Sequence, residues 1–156
     1  NVRGAYMMAH HAIPHLRKAA YGHVINMSPP ISIKTRWISG KTGYTITKYG
    51  MSMLTIGLAD ELASDGVSAA SLWPRTTIAT AAVDWLGGEA MMKQSRKPEI
   101  MADAIYEIVS TDDNSLSGQH LIDEDFLRER GYEDFEKYAY EPGNPLVPDF
   151  YIDEDV

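Results

Sequence analysis

The chain contains no cysteine, which excludes disulfides and all thiol chemistry and fits an intracellular protein. No stretch approaches the ~20 consecutive apolar residues that a membrane span requires. Nor does a basic segment lead into an apolar one near the start, so no secretory signal is read. An excess of positive charge is also missing. The formal net charge is −8, which argues against a nucleic-acid backbone or an anionic membrane surface as the main partner. There is no internal repeat and no low-complexity tract. What remains is a chain of 156 residues, 44% of them hydrophobic, enough for one domain with a modest core. The first residue is Asn, not Met, so the sequence reads as beginning partway through a longer protein. Acidic residues gather late, in DEDFLRERGYEDFEKY and in a proline-punctuated tail over about 141–156, and both are expected to be solvated surface.

Residues 2–19 read as a helix with Tyr6, Ala9, Ile13 and Leu16 on one face, bent by Pro14. Past Gly22, HVINMS has the length and β-branching of a buried strand, and PPISIKTRWISGKTG reads as a loop. The longest helical pattern covers 44–64, with Met51, Leu54, Leu58 and Leu62 on one stripe and Asp65-Gly66 as its stop. Gly50 and Gly57, seven residues apart, would let another backbone approach. VSAASLW (67–73) is a second buried strand, stopped by Pro74. Helical pieces follow at about 78–86 and 99–110, and SGQHLID (117–123) is a third strand after the turn DDNS. Strands alternating with long helices imply parallel pairing through right-handed crossovers, an α/β layered fold. Three strands are few for a whole doubly wound sheet.

Tyr44 and Lys48 stand one helical turn apart and share a face. A free tyrosine titrates near ~10 and is poorly matched to proton transfer at neutral pH, but a nearby ammonium favours the phenolate. The pair is therefore either an acid–base unit or merely a tyrosine and a lysine at helical spacing. His11 and His15 also share a face, but there is no H-E-x-x-H, Pro14 disturbs the turn and no third ligand is evident, so no metal site is expected. Asp123, Glu124 and Asp125 are adjacent and cannot all face one site; they read as a solvated helix start, the end that carboxylates favour.

Taken together, NVRG, GHVINMS, YTITK, VSAASLWPRTTIAT and SGQHLID, in this order, resemble the short-chain dehydrogenase/reductase family from its fourth helix to its last strand. INMSPP, YTITKYGMSM, SLWPRT and the PLVPDFYIDE tail are most similar to its hydroxysteroid dehydrogenase-like subgroup. The resemblance covers nearly the whole chain and implies a single domain over 1–156: a partial Rossmann-like, doubly wound parallel sheet whose N-terminal half is absent. It implies an NAD- or NADP-dependent oxidoreductase acting on a small or lipid-like carbonyl/alcohol pair, with a homo-oligomer expected. A cytoplasmic location is expected, or a mitochondrial or peroxisomal one in a eukaryote. By the same resemblance Tyr44 is the general acid or base. Lys48 lowers the tyrosine pKa and hydrogen-bonds the nicotinamide ribose, and Asn1 holds the water of the proton relay. Pro74, Ile78 and Thr80 line the nicotinamide end. Trp37, Ile38, Trp73 and Trp85 are candidates for an apolar pocket.

Two departures from the family pattern stand out. The register of the substrate-binding serine falls on Pro29, which has no donor; Ser28, one place off, is the candidate substitute, with Ser32 on the following loop. Arg75 replaces the usual glycine after Pro74. The glycine-rich phosphate loop has no counterpart, since Gly40, Gly43, Gly87 and Gly88 lack the strand-before, helix-after context. The alternative to an enzyme is thus a non-catalytic remnant that acts as a dimerisation or interaction module.

Overall fold

A computed structural model describes residues 1–153; the final three residues of the acidic tail, 154–156, lie outside the described residues. The sheet is organised around β1, Gly22–Met27, and β2, Val67–Trp73, which pair in parallel from Gly22 opposite Val67 to Met27 opposite Leu72. Every residue of β2 is buried. That is why VSAASLW reads as a continuous run: a central parallel strand is covered on both faces. A short third strand, β3 (His120–Ile122), completes a parallel sheet in the order β1-β2-β3. The expected α/β architecture is therefore observed.

The chain divides into two compact units, Asn1–Trp73 with Ile108–Leu121, and Pro74–Glu107 with the residues from Ile122 onward. The first holds the sheet and three helices, α1 (Val2–Leu16), α2 (Thr35–Ile38) and α3 (Thr42–Glu61). Ala9, Leu58, Leu62, Val67 and Ala69 form its core, with Ile13, Leu16, Val24, Leu54 and Ala59 packed around them. Full burial of each large aliphatic side chain contributes about 1.5–3 kcal/mol. The apolar stripe read along α3 is thus a core stripe. Gly50 is a point of close approach within the chain, because a Cβ there would lie 2.6 Å from Val2 Cγ2, whereas Gly57 faces open space. After α3 a 3₁₀ turn over Ala63–Asp65 leads to Gly66 at φ 69°, so the Asp65-Gly66 stop marks a true left-handed residue. Pro14 lies inside α1, which ends two residues later.

The second unit contains α4 (Ala81–Lys93), the part of α5 (Glu99–Val109) through Glu107, and α6 (Asp123–Glu129). Ile100, Met101, Ala104, Phe126, Leu127, Phe135 and Tyr138 are buried. Gly88 adopts the non-helical φ 62°, ψ −162° inside α4, so the first helical segment stops near the Gly87-Gly88 pair, where the sequence pattern ends it, and a second runs on to Lys93. The single-turn α2 falls where the sequence reads as loop. Among the described residues no helix is long and apolar enough to cross a membrane.

Candidate active site

Tyr44 and Lys48 lie in the first two turns of α3. The Lys48 ammonium donates to the carbonyl of Met27, the last residue of β1, at 2.8 Å. It also stands 5.1 Å from the ring centroid of Trp73, the last residue of β2, and 5.9 Å from that of Tyr44. The amine is therefore half-buried over the carboxyl ends of two parallel strands, the edge at which open α/β sheets take their ligands. Both aromatic distances fall within the ~6 Å range of a cation–π contact. Tyr44 is 43% exposed.

Asn1 reaches the same turn: its Nδ2 donates to Thr47 Oγ1 at 2.8 Å, and Thr47 Oγ1 donates to the Tyr44 carbonyl at 2.8 Å. The segment after β1 is held along α3 by three further bonds. Ser52 Oγ donates to the Pro29 carbonyl at 2.6 Å, the Tyr49 hydroxyl to the Ser32 carbonyl at 2.8 Å, and Thr45 Oγ1 to the Trp37 carbonyl at 2.7 Å. Thr45, Ser52 and Thr55 are all buried, with Thr55 accepting from Asn26 Nδ2 at 2.9 Å. α3 thus carries a polar buried row beside its apolar stripe, and this row fixes the stretch that carries the double proline.

Ser28 follows the strand end that Lys48 holds. It is fully buried, and its Oγ has no hydrogen-bond partner among the described residues. An unsatisfied buried hydroxyl costs about 1–3 kcal/mol. Pro29, also fully buried, has no donor to offer. Trp37 and Ile38 are half-buried, and Trp37 is flanked by Arg36 and Lys41 at 4.9 and 5.7 Å from its ring centroid. Trp73 is buried. On the same sheet Ser71 Oγ and His120 Nδ1 are 2.5 Å apart, and burial holds the imidazole below its ordinary pKa.

The second unit contains the segment predicted to line a nicotinamide. Pro74 is buried; Ile78 is half-buried and bridges Arg96 in parallel fashion; exposed Thr80 is the N-cap of α4. Trp85 of α4 is 86% exposed. The Arg75 N–H donates to Asp123 Oδ1 at 2.8 Å, and its guanidinium forks onto both oxygens of Asp125, with Nε at 3.0 Å from Oδ1. Arg96 pairs with Glu124, whose other oxygen takes Arg128 Nη2 at 2.6 Å. Phe135 lies between these two cations, 5.6 and 4.2 Å from the respective guanidinium carbons. Burial raises the Asp123 carboxyl to about 6, against the opposing pull of its N–H donors and Arg96. Burial also raises Glu124, but hydrogen bonds and charge from Arg96 and Arg128 outweigh it and leave that carboxyl below the usual range. The acidic triplet is therefore no solvated helix start. Asp123 and Glu124 are 0% and 9% exposed; Asp123 accepts the backbone N–H groups of Arg75 and Glu124, Glu124 pairs with Arg96 and Arg128, and Asp125 takes the Arg75 guanidinium. Among the described residues no three His, Asp or Glu side chains gather in a metal-binding group.

The model of the family "short chain dehydrogenase" matches residues 1–86. Hydroxysteroid dehydrogenase-like protein 2 of Danio rerio is 48% identical over 153 residues, which are 98% of this chain and 36% of that protein. A crystal structure of a Xanthomonas campestris protein superposes with a TM-score of 0.92 at 40% identity, covering 99% of this chain and 56% of the other. The fold alone is shared with 3-ketoacyl-(acyl-carrier-protein) reductase of Brucella melitensis, solved in complex with NADH (TM-score 0.59, 22% identity, 77% of this chain and 51% of the other). The chain spans about a third of the length of the curated relatives it matches. It belongs to the short chain dehydrogenase family.

Proposed function

We propose that this short chain dehydrogenase interconverts a carbonyl and an alcohol at the expense of a nicotinamide dinucleotide, NAD or NADP, with Tyr44 transferring the proton. The observation that carries the reading is the Lys48 ammonium, bonded at 2.8 Å to the last carbonyl of β1 and one turn from Tyr44. A bound nicotinamide supplies or accepts the hydride. The phenol of Tyr44 gives its proton to the substrate oxygen in reduction and withdraws it in oxidation. Lys48 supplies the positive charge that favours the phenolate and donates to the cofactor ribose. Asn1, tied to the same turn through Thr47, holds the water that continues the relay. Ser28, whose buried hydroxyl has no partner among the described residues, is the candidate substrate donor in place of the one missing at Pro29.

Tyr44, Lys48 and Asn1 fit the nicotinamide end of a dinucleotide, and Pro74, Ile78 and Thr80 are its candidate lining on the family resemblance alone. The NADH complex of the Brucella reductase supports the cofactor class. A lipid-like substrate rests on the family resemblance alone, since Trp85, expected in an apolar pocket, is 86% exposed. A homo-oligomer is favoured by the exposed apolar residues of α3: Ile46 and Met53 at 65% and Ile56 at 47%, beside the open Gly57.

The test is Tyr44→Phe in the full natural protein, with NADH and NADPH offered alongside an aliphatic ketone and a fatty aldehyde. Turnover is expected to fall about 10²–10⁴-fold, the contribution of a positioned acid–base group, while dinucleotide affinity stays within about twofold. Undiminished turnover by the variant would refute the role of Tyr44.

A further inference from the structure

We propose that Asp123, Glu124 and Asp125 are positioning residues for the segment 74–80, holding it at residue 75 and again at residues 77–79. The proposal rests on the reading above, which places that segment against the nicotinamide. At the first point, Asp123 accepts the Arg75 backbone N–H while Asp125 takes the guanidinium bidentately. A long, flexible side chain stands where the family pattern has glycine, and it is tied down at both its backbone and its tip. Bidentate charge-assisted bonds fix direction as well as distance.

The second point is held through Arg96. Its N–H donates to the Thr77 carbonyl at 2.9 Å, its carbonyl accepts from the Ala79 N–H at 2.7 Å, and it bridges Ile78. Thr77 Oγ1 lies 2.7 Å from Ser95 Oγ, so the neighbouring residue joins the same attachment. The Arg96 guanidinium is fixed in turn by Glu124. Three consecutive carboxylates, pointing in different directions from one helix start, thereby restrain four of the seven residues from 74 to 80.

Burial argues that this is more than surface stapling. Asp123 is fully buried, and Arg96 and Glu124 are 5% and 9% exposed. Well-packed apolar residues of similar volume frequently match or exceed a buried ion pair in stability. A requirement for geometry accounts for charge retained there, and the geometry being set is that of the segment the pairs grip.

Asp125, with a side chain 43% exposed, is the member that can be replaced with least risk to folding. In the full natural protein, affinity for NADH and for ADP-ribose, which lacks the nicotinamide, is measured by titration calorimetry together with the melting temperature. Asp125→Ala and Arg75→Ala are each expected to weaken NADH about 5–20-fold and to leave ADP-ribose within about twofold. The double variant should be no weaker than either single one, because both lose one shared interaction. Asp125→Glu should recover part of the loss. An equal loss for both ligands would mean general damage and overturns the positioning role, as does no change for either. A wild-type protein that binds NADH no better than ADP-ribose overturns the nicotinamide reading itself and is told apart by that result.

Discussion

Replacing Asp123 by Asn should change how stability depends on pH more than it changes stability at any one pH. The carboxyl is fully buried, and its ordinary value of 3.8 is raised to about 6 in the folded protein. At about 1.36 kcal/mol per pH unit, ionising it inside the fold costs roughly 3 kcal/mol at neutral pH. Because the folded state binds this proton more tightly than the unfolded chain does, the Asp123 contribution to stability falls as pH rises from about 4 to about 6, and is flat above that. Glu124 acts in the opposite sense at lower pH: its folded value lies below 4.5, so its contribution is lost as pH falls through that region. His120, held below 6.5 by burial, loses its contribution as pH falls below 6.5 and so overlaps the Asp123 window. Subtracting the variant from the wild type removes both. Asp123→Asn keeps an oxygen for the Arg75 and Glu124 N–H groups, which lie at 2.8 and 2.6 Å. It places an amide where Oδ2 has no partner. In urea unfolding the variant should gain about 2 kcal/mol on the wild type between about pH 4 and pH 7, from integrating the linkage over that range. Parallel curves for the two proteins would show that Asp123 is not ionised against burial.

Ser28→Ala separates stability from activity. Removing an unpartnered buried hydroxyl should leave the unfolding midpoint unchanged or raised, while turnover falls about 10²–10³-fold if the group acts as an oxyanion donor; unchanged turnover excludes it. Gly50→Ala drives a Cβ to 2.6 Å from Val2 Cγ2 and should lose about 1 kcal/mol in denaturant unfolding, overpacking exceeding the gain in helix propensity. Gly57→Ala, in open space on the same helix, should gain about as much; the same sign for both would contradict the packing of α1 on α3.

The parts of the fold that were legible are those in which local pattern and burial coincide. β2 reads correctly because both of its faces are covered, so nothing interrupts its apolar run. The stop at Asp65-Gly66 reads correctly because a left-handed residue is needed there and Gly66 supplies it, although it closes the 3₁₀ turn Ala63–Asp65 and α3 itself ends at Glu61. α2 was not legible: it is one turn long, and one of its carbonyls is fixed by Thr45, eight residues on. The stop at the Gly87-Gly88 pair was legible, because Gly88 at φ 62° breaks the helical backbone there; the second helical segment, up to Lys93, was not. The buried roles of Asp123 and Glu124 were hidden for a different reason. The Arg75 N–H that Asp123 accepts and the Arg96 guanidinium that pairs with Glu124 are 48 and 28 residues away, and a run of three acids has the same composition whether it is solvated or paired.

For the catalytic pair, spacing alone can state only that Tyr44 and Lys48 share a side of a helix. Turning that into chemistry requires knowing which side, and the deciding contact is the bond from the Lys48 amine to the Met27 carbonyl. Met27 ends β1 and Trp73 ends β2, so an ammonium that bonds the Met27 carbonyl and lies 5.1 Å from the Trp73 ring centroid stands at the carboxyl ends of both strands, the ligand edge. Replacing Met27 would not remove this anchor, since the acceptor is backbone. Only a shift of β1 against β2 would, and their register is fixed over six consecutive pairs from Gly22–Val67 to Met27–Leu72. The position of the amine is thus set by the sheet, and that of Tyr44 by the one turn of α3 that separates them. Pro29 fits the same logic. With its carbonyl fixed by Ser52 at 2.6 Å and no N–H of its own, it leaves the hydroxyl of Ser28 as a donor at this strand end without a partner among the described residues.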